Sequence, residues 1–252
     1  MLVPERYERI VQLVNEKGSM RVTELSALCK VTEETIRRDL DRLEREGRLR
    51  RSHGGAVSIK EQQPEIPFVE REILHPLQKR AIAAEAVRHV RPWDKIVLDA
   101  STTAWYMAAI LPDIPLTVLT NSIKVATELS GKEQIEVIST GGQLAKRSLS
   151  YVGGAAERFL ENYYVDKVFL SCKGVHYERG ISESSELQAR VKQQMLRMSD
   201  QVYLLADASK FGTPSFARVG SLEETRMIIT DERLPAESRL QLQQLGLEVA
   251  VV

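Results

Sequence analysis

Four short runs carry most of the residues in this 252-residue chain that could hold a small molecule. "LDASTTAWYM" sets Asp99 ahead of three hydroxyls, Ser101, Thr102 and Thr103. "LTNS" holds Thr120, Asn121 and Ser122, "STGGQL" holds Gly141 and Gly142, and "ADASKFG" holds Asp207 and Lys210. Hydroxyls at a helix start, with the free backbone N–H groups beside them, can take a phosphate. Glycine pairs allow close backbone approach, and a lysine neutralises an anion. Any one of these runs would also serve as an ordinary helix cap. Their recurrence is what points to an anionic, hydroxyl-rich ligand. A fifth run has a different character. "VTEETIRRDLDRLEREGRLRRSHGG", residues 31–55, sets arginines among acids in a chain of zero formal net charge. That pattern suits either a solvated helix or a surface that meets a polyanion.

The elements that must position these groups follow from apolar spacing. "KIVLDA", "LTVLTNS", "IEVIST", "KVFLSC", "VYLLAD", "MIITD" and "LEVAVV" are short Val/Ile/Leu-rich runs without inward/outward alternation, as expected of strands buried on both faces. Amphipathic segments of helix length separate most of them, at 77–90, 102–111, 154–162, 184–199 and 235–245. Alternating β and α predicts a mostly parallel sheet covered on both sides. In such a sheet, residues that follow strands gather at one edge, so the four polar runs share one rim.

The N-terminal part has another grammar. Residues 4–17 predict a helix with Ile10, Leu13 and Val14 inward, ended by Gly18. "VTELSALCK" predicts a short second helix capped by Thr23, with Leu25 and Leu28 inward. A third helix runs from Thr32 to about Glu46 on a stripe of Ile36, Leu40 and Leu43. "RLRRSHGGAVSI" suits a small hairpin turned at Gly54–Gly55. Three helices and a hairpin give a winged helix-turn-helix. At about 100° per residue, Glu34, Arg38, Asp41 and Arg45 oppose the stripe of the third helix, with Thr35 and Arg37 beside them. Arg37 and Arg38 thus face outward at the end of a recognition helix that enters a major groove. Arginine there can grip a guanine edge or a phosphate, and Thr32 and Thr35 offer hydroxyls. Arg48, Arg50, Arg51, His53 and Gly54 form the basic wing. Glu33–Arg37, Glu34–Arg38 and Asp41–Arg45 are also ordinary i,i+4 pairs.

The domains expected are therefore a winged helix-turn-helix over 1–59, a linker over 60–75 with two prolines and much charge, and an α/β effector-binding and oligomerisation domain over 76–252. Charge divides the same way. Residues 1–60 hold 13 Lys and Arg against 10 Asp and Glu, the remainder 22 against 25. Cys29 and Cys172 are too few for a disulfide framework, and their spacing suits no zinc site. No cofactor or metal is expected. The N-terminus has no apolar signal core and no run reaches the roughly 18 residues of a membrane span, so a cytoplasmic protein is expected.

The stretch 5–57, centred on T-x-x-T-I-R-R-D-L and followed by "HGGA", resembles the helix-turn-helix signature of the DeoR family of bacterial transcription regulators. The run D-x-S-T-T, T-N-S, G-G, Val191–Lys192 and D-x-S-K-F-G is similar to that family's effector domain, which resembles the ribose 5-phosphate isomerase fold. The resemblance implies that Ser101, Thr102, Thr103 and Lys210 hold phosphate and that Asp99, Asn121 and Asp207 handle hydroxyls, with Lys192 nearby. It further implies a transcriptional repressor of a sugar-catabolism operon, a dimer or tetramer on double-stranded DNA, released by a phosphorylated sugar. The chain departs from the family at Ala100–Ser101, where the family often has x-Gly within Asp-x-Gly-Thr-Thr, and at Lys173–Gly174, where Asp-Gly is common. The DASTT/SCKG variant resembles regulators of deoxyhexose (rhamnose-type) use. The rival is an active sugar-phosphate isomerase. It needs a carboxylate base beside the C–H to be deprotonated. "SCKGV" has none where the related enzymes carry acids, which leaves Glu183 and Glu186, read as exposed residues at a helix start. No catalytic residue is assigned. A purely DNA-bending protein would have no use for the polar strand ends.

Overall fold

The computed structural model describes residues 3–17, 19–52, 54–57 and 66–252. Gly18, His53 and 58–65 lie outside the described residues, and the side chain of Arg50 is likewise undescribed. The chain forms two compact units, residues 1–63 and 64–252.

The first unit contains α1 (Val3–Lys17), β1 (Ser19–Arg21), α2 (Val22–Cys29), α3 (Glu33–Arg45), β2 (Arg50–Ser52) and β3 (Gly55–Val57). Ile10, Val14, Leu25, Ile36, Leu40 and Leu43 form one fully buried core. Each such side chain contributes about 1.5–3 kcal/mol through burial. The expected hairpin gains a third strand, because β1 pairs antiparallel with β3 to give the order β1-β3-β2. Gly55 permits this pairing, since a Cβ there would come within 2.2 Å of the Met20 carbonyl oxygen. Two details differ from expectation. Leu28 is 49% exposed. The inward stripe of α2 is Val22, Leu25 and Cys29, the i, i+3, i+7 face. Thr23 lies inside the helix, whose cap is Arg21, and the Glu24 carboxylate accepts from the Arg21 backbone N–H at 3.1 Å.

The second unit runs α4 (Phe68–Glu72), α5 (Pro76–Val87), β4 (Lys95–Leu98), α6 (Thr102–Ile110), β5 (Leu116–Thr120), α7 (Ile123–Leu129), β6 (Ile135–Ser139), β7 (Gln143–Ala145), β8 (Ser150–Val152), α8 (Gly154–Leu160), β9 (Val165–Leu170), β10 (Gly174–His176), β11 (Gly180–Glu183), α9 (Glu186–Arg197), β12 (Ser199–Leu205), β13 (Ala217–Gly220), β14 (Met227–Thr230), α10 (Ala236–Gln244) and β15 (Glu248–Val251). The seven runs read as strands form one sheet in the order β15-β14-β12-β9-β4-β5-β6, and every pairing in it is parallel. Ile96, Leu98, Phe169, Tyr203 and Ile229 pack under α5, α6 and α7. Their strand neighbours Val97, Val168, Leu170, Leu204 and Ile228 pack under α8, α9 and α10. Apolar residues on both faces explain the missing alternation. Two small additions carried no comparable signal: the β7–β8 hairpin and the antiparallel sheet β10-β11-β13.

The expected linker is corrected at its C-terminal end. Phe68 is 1% exposed and meets the edge of the Trp105 ring, with centroids 6.0 Å apart. Residues 66–75 therefore belong to the second unit. A five-residue helix with one apolar anchor is too short to show periodicity amid proline and charge.

Candidate nucleic-acid interface and effector site

In the first unit, α3 starts where Thr32 caps it, its hydroxyl accepting from the Thr35 N–H at 3.3 Å. The Thr35 hydroxyl lies 2.9 Å from that of Thr32. Outward, Arg37 meets Glu33 at 2.8 Å and Glu34 at 3.7 Å, while Arg38 meets Glu34 at 3.6 Å. The Arg38 side chain is 80% exposed. Exposed pairs of this kind are worth about 0–1 kcal/mol, so a phosphate can replace the carboxylate.

The third expected pair is different. Asp41 binds Arg51 of β2, and the Arg45 guanidinium donates instead to the Asp41 backbone carbonyl at 3.2 Å. The Arg51 backbone N–H also donates to Glu44 at 2.8 Å. Arg51 thus ties the wing to α3. Gly54 supplies a turn with φ near +83° and accepts from the Val22 N–H at 2.9 Å. Asp39, inside the basic run, was not singled out in the sequence. It is buried and takes a two-pronged bond from Arg6, at 2.5 and 3.1 Å, that pins α1 to α3. Asp39 raises the Arg6 guanidinium further above its ordinary value, by hydrogen bond and by charge, against a smaller burial effect.

In the second unit the parallel strands deliver their carboxyl ends to one edge. β4 leads on to β5 and β6 on one side, while β9, β12, β14 and β15 lie on the other, so the strand order reverses between β4 and β9. Ligands of open α/β sheets bind in the crevice at such a point. Asp99 sits here, fully buried. Its carboxylate accepts from the Ser101 N–H at 3.1 Å and the Ser171 N–H at 3.0 Å. It also lies 3.0 Å from Lys192, whose ammonium donates to the Ser171 carbonyl at 2.6 Å and to Glu183 at 2.5 Å.

Burial alone would lower the Lys192 ammonium, but Glu183 and Asp99 outweigh it and raise it above the ordinary lysine value. Its three N–H bonds meet three acceptors. Asp99 and Lys192, expected to face a ligand, therefore cross-link β4, β9, β11 and α9. Glu183 belongs to the same network and is buried at the end of β11, not exposed at a helix start. Glu186 is exposed and pairs with Arg190 at 2.6 Å.

The other candidates stand along the rim. Ser101 caps α6, accepting from the Ala104 N–H at 3.0 Å, and Thr102 and Thr103 form the buried first turn. The Asn121 amide donates to the Tyr151 carbonyl at 3.0 Å, which leaves its oxygen buried with no hydrogen-bond partner among the described residues. Gly141 and Gly142 have φ of +61° and +115°. A Cβ on Gly142 would lie 3.0 Å from the Val152 carbonyl oxygen, so this pair builds the turn into β7. Asp207 accepts from the Ser209 N–H at 3.1 Å and holds the turn that carries Lys210.

Lys173 follows β9, and its neighbour Gly174 is required, because a Cβ there would come within 2.2 Å of the Thr213 carbonyl oxygen. The Lys173 ammonium is lowered, first by burial and then by Lys210 and Arg71, against Glu183 and Asp207. Neither the Lys173 nor the Lys210 ammonium makes a hydrogen bond among the described residues.

Lys79 of α5 is the functional candidate that escaped the sequence reading. It is 5% exposed and donates to the Arg71 carbonyl. Burial pushes it down to about 8, with Lys210 and Arg71 adding to the fall and Asp207 opposing it. A lysine inside an amphipathic helix reads as a solvated position, and only the packing of α4 over α5 buries it. Lys79, Lys173 and Lys210 thus bring positive charge together beside Asp207, with Glu183 also acting on Lys173.

Two family models match the chain: a DeoR-like helix-turn-helix domain over residues 6–62 and a DeoR C terminal sensor domain over 74–232. The chain is 54% identical, over all of its length and 98% of the other, to an uncharacterized HTH-type transcriptional regulator, YulB, of Bacillus subtilis. It is 36% identical to a putative aga operon transcriptional repressor of Escherichia coli O157:H7, covering 98% of this chain and 93% of that one. An L-fucose operon activator of Haemophilus influenzae is 38% identical over 91% of this chain and 92% of its own. Among solved structures, ribose 5-phosphate isomerase A of Methanocaldococcus jannaschii matches 53% of each chain at 17% identity and a TM-score of 0.39. With a recognition helix in one unit, a parallel-sheet rim in the other and both matched in order, the chain belongs to the DeoR family of transcriptional regulators.

Proposed function

We propose that this regulator represses a sugar-catabolism operon and releases its operator when a phosphorylated sugar occupies the rim of the second unit. The observation that carries this reading is that the Asn121 side-chain oxygen, after β5, is buried with no hydrogen-bond partner among the described residues, while the Lys173 and Lys210 ammonium groups, after β9 and β12, make no hydrogen bond among them either. A phosphate supplies the missing negative charge there, and the first turn of α6 at Thr102 and Thr103 adds backbone N–H groups. The unpartnered Asn121 oxygen accepts from a sugar hydroxyl. Asp207 takes a second hydroxyl, while Asp99 and Lys192 hold the frame.

Arg37, Arg38 and Thr35 read the operator from α3, and Arg50 and Gly54 belong to the wing. A homo-oligomer places two readers on paired half-sites, and the ligand shifts the balance only through its different affinity for the bound and released arrangements. Relatives are named for both a repressor and an activator, and one is named for L-fucose, a deoxyhexose. A deoxyketose phosphate is accordingly the first effector to try. Isomerase chemistry is disfavoured because Glu183, a carboxylate left to serve as base, is locked to Lys192 at 2.5 Å. Among the described residues no helix is long and apolar enough to cross a membrane, and a regulator that reads DNA works in the cytoplasm.

The test is fluorescence anisotropy on DNA from upstream of the protein's own gene, at fixed salt, against paired phosphorylated and free sugars. Release by one sugar phosphate and not by its free sugar is the expected result. Tight binding that no phosphorylated sugar alters would overturn this account of the second unit.

A further inference from the structure

The acids on α3 and at its end are sorted by what their carboxylates accept. Glu33 accepts from Arg37 at 2.8 Å, Asp39 from Arg6 at 2.5 Å, Asp41 from Arg51, Glu44 from the Arg51 backbone N–H at 2.8 Å and Glu46 from Arg42 at 2.6 Å. Glu34 is the exception. Its carboxylate lies 3.7 Å from Arg37 and 3.6 Å from Arg38, close enough for charge attraction but too far for a hydrogen bond, and it accepts none among the described residues. Its side chain is 63% exposed.

Its place on the helix matters as much as its free lone pairs. At about 100° per residue, Glu34 stands opposite the buried stripe of Ile36, Leu40 and Leu43, on one line with Arg38, Asp41 and Arg45. Asp41 is held by the wing, and Arg45 leans back on the Asp41 carbonyl. Glu34 and Arg38 are what this line offers at the N-terminal half of α3, the half of a recognition helix that reaches base edges. An acid in a first turn also complements the helix dipole, but Glu33 supplies that charge while bonded to Arg37.

We propose that Glu34 is a specificity-determining residue of the DNA reader, a carboxylate that admits cytosine in the major groove and rejects guanine and thymine. This rests on the reading of α3 as the operator helix. An ionised carboxylate only accepts hydrogen bonds. Cytosine presents its N4 amino donor in the major groove, whereas guanine presents two acceptors and thymine an acceptor and a methyl group. Over guanine or thymine the carboxylate loses water and gains no donor. Arg37 and Arg38 seek the opposite pattern, so neighbouring residues read both signs of the base code. The acid also repels phosphate, so its contribution lies in the difference between sequences and not in the affinity for the operator.

The experiment is selection of binding sites from a randomised duplex library by the full-length chain at fixed salt, followed by anisotropy on single-base variants. The wild-type chain should select a half-site with a C·G pair whose replacement by G·C or T·A weakens binding about tenfold or more. Glu34→Gln keeps an acceptor for cytosine, removes the charge and adds a donor that guanine or thymine can accept. It should select the same half-site with that one pair relaxed, the same replacements costing less than about threefold. Glu34→Asp keeps the charge at the helix start but shortens the reach, and should relax the same pair.

A Glu34→Gln chain that tightens on all duplexes alike and keeps the wild-type preference at every position would overturn the inference and leave α3 as the reader. Arg38→Ala with unchanged selection and affinity, or a wild-type chain that selects no sequence, would overturn the operator reading of α3 and the inference with it.

Discussion

The Arg38 side chain on the recognition helix is 80% exposed, whereas that of Lys192 in the sensor unit is 7% exposed. Both are cations with acidic neighbours, but they are used in different ways. Arg37 and Arg38 rest on Glu33 and Glu34 in solvent, where an ion pair is weak and exchangeable. A DNA reader benefits from this, because its charges keep soluble company until phosphates arrive. In the sensor unit, Lys192, Asp99 and Glu183 are removed from water and saturated with one another, so they fix geometry and bind nothing further. Lys79, Lys173 and Lys210 lie between these extremes, partly desolvated and short of negative partners. The first unit also contains a buried pair, Arg6–Asp39, which like the Lys192 network acts as a joint between elements. In the proposed function, exposed charge carries recognition of the polyanion and charge at the rim takes the ligand, while saturated buried charge carries structure.

The largest effects should come from breaking the buried joints. Lys192→Met leaves Asp99 and Glu183 buried without a counter-charge, and Asp39→Ala strands Arg6. Each should cost about 3–5 kcal/mol in urea unfolding of its own unit. Lys210→Ala should keep operator affinity and lose about 1.5–3 kcal/mol of sugar-phosphate affinity by calorimetry, giving a repressor that does not release. Full ligand response in that variant would remove Lys210 from the site. Arg38→Ala should lose about 1–3 kcal/mol of operator affinity with ligand binding intact, which the anisotropy assay reads directly.

Lys79 gives a pH signature with two opposite signs. Its folded value of about 8 lies below the ordinary 10.5. The cost of its burial is therefore fully present below about pH 8 and is relieved as pH rises toward 10.5. Stability of the sensor unit should climb across that window because the unfolded chain binds more protons there. Phosphate affinity should fall as pH passes through the folded value, by up to roughly tenfold from pH 7 to 9, as the ammonium is lost. Lys79→Met should flatten both curves. The smallest effect belongs to Glu34→Gln, which frees Arg37 and Arg38 from a shared acid and should tighten DNA binding by less than about 1 kcal/mol.

Much of this molecule is legible in its residues taken in order. Stripes such as Ile36, Leu40 and Leu43, and doubly buried runs such as "KIVL", specify their elements because burial imposes a period on the chain. The parallel order then sends Asp99, Asn121, Gly141, Lys173 and Asp207 to one edge, since every strand ends on the same side. The basic run 37–51 is equally visible, because like charges gathered in sequence stay gathered on a short helix and hairpin. Tertiary structure alone decided which of these charges are available. Asp39 and Lys192 look like surface residues until α1 and β4 close over them, and Glu183 becomes buried only through the β10-β11-β13 sheet. Segment 66–75 reads as a linker because one phenylalanine carries its docking. Whether a charged side chain binds a neighbour or a ligand depends on how many acceptors the fold brings within about 3 Å of it, and residues far apart in the chain supply those acceptors.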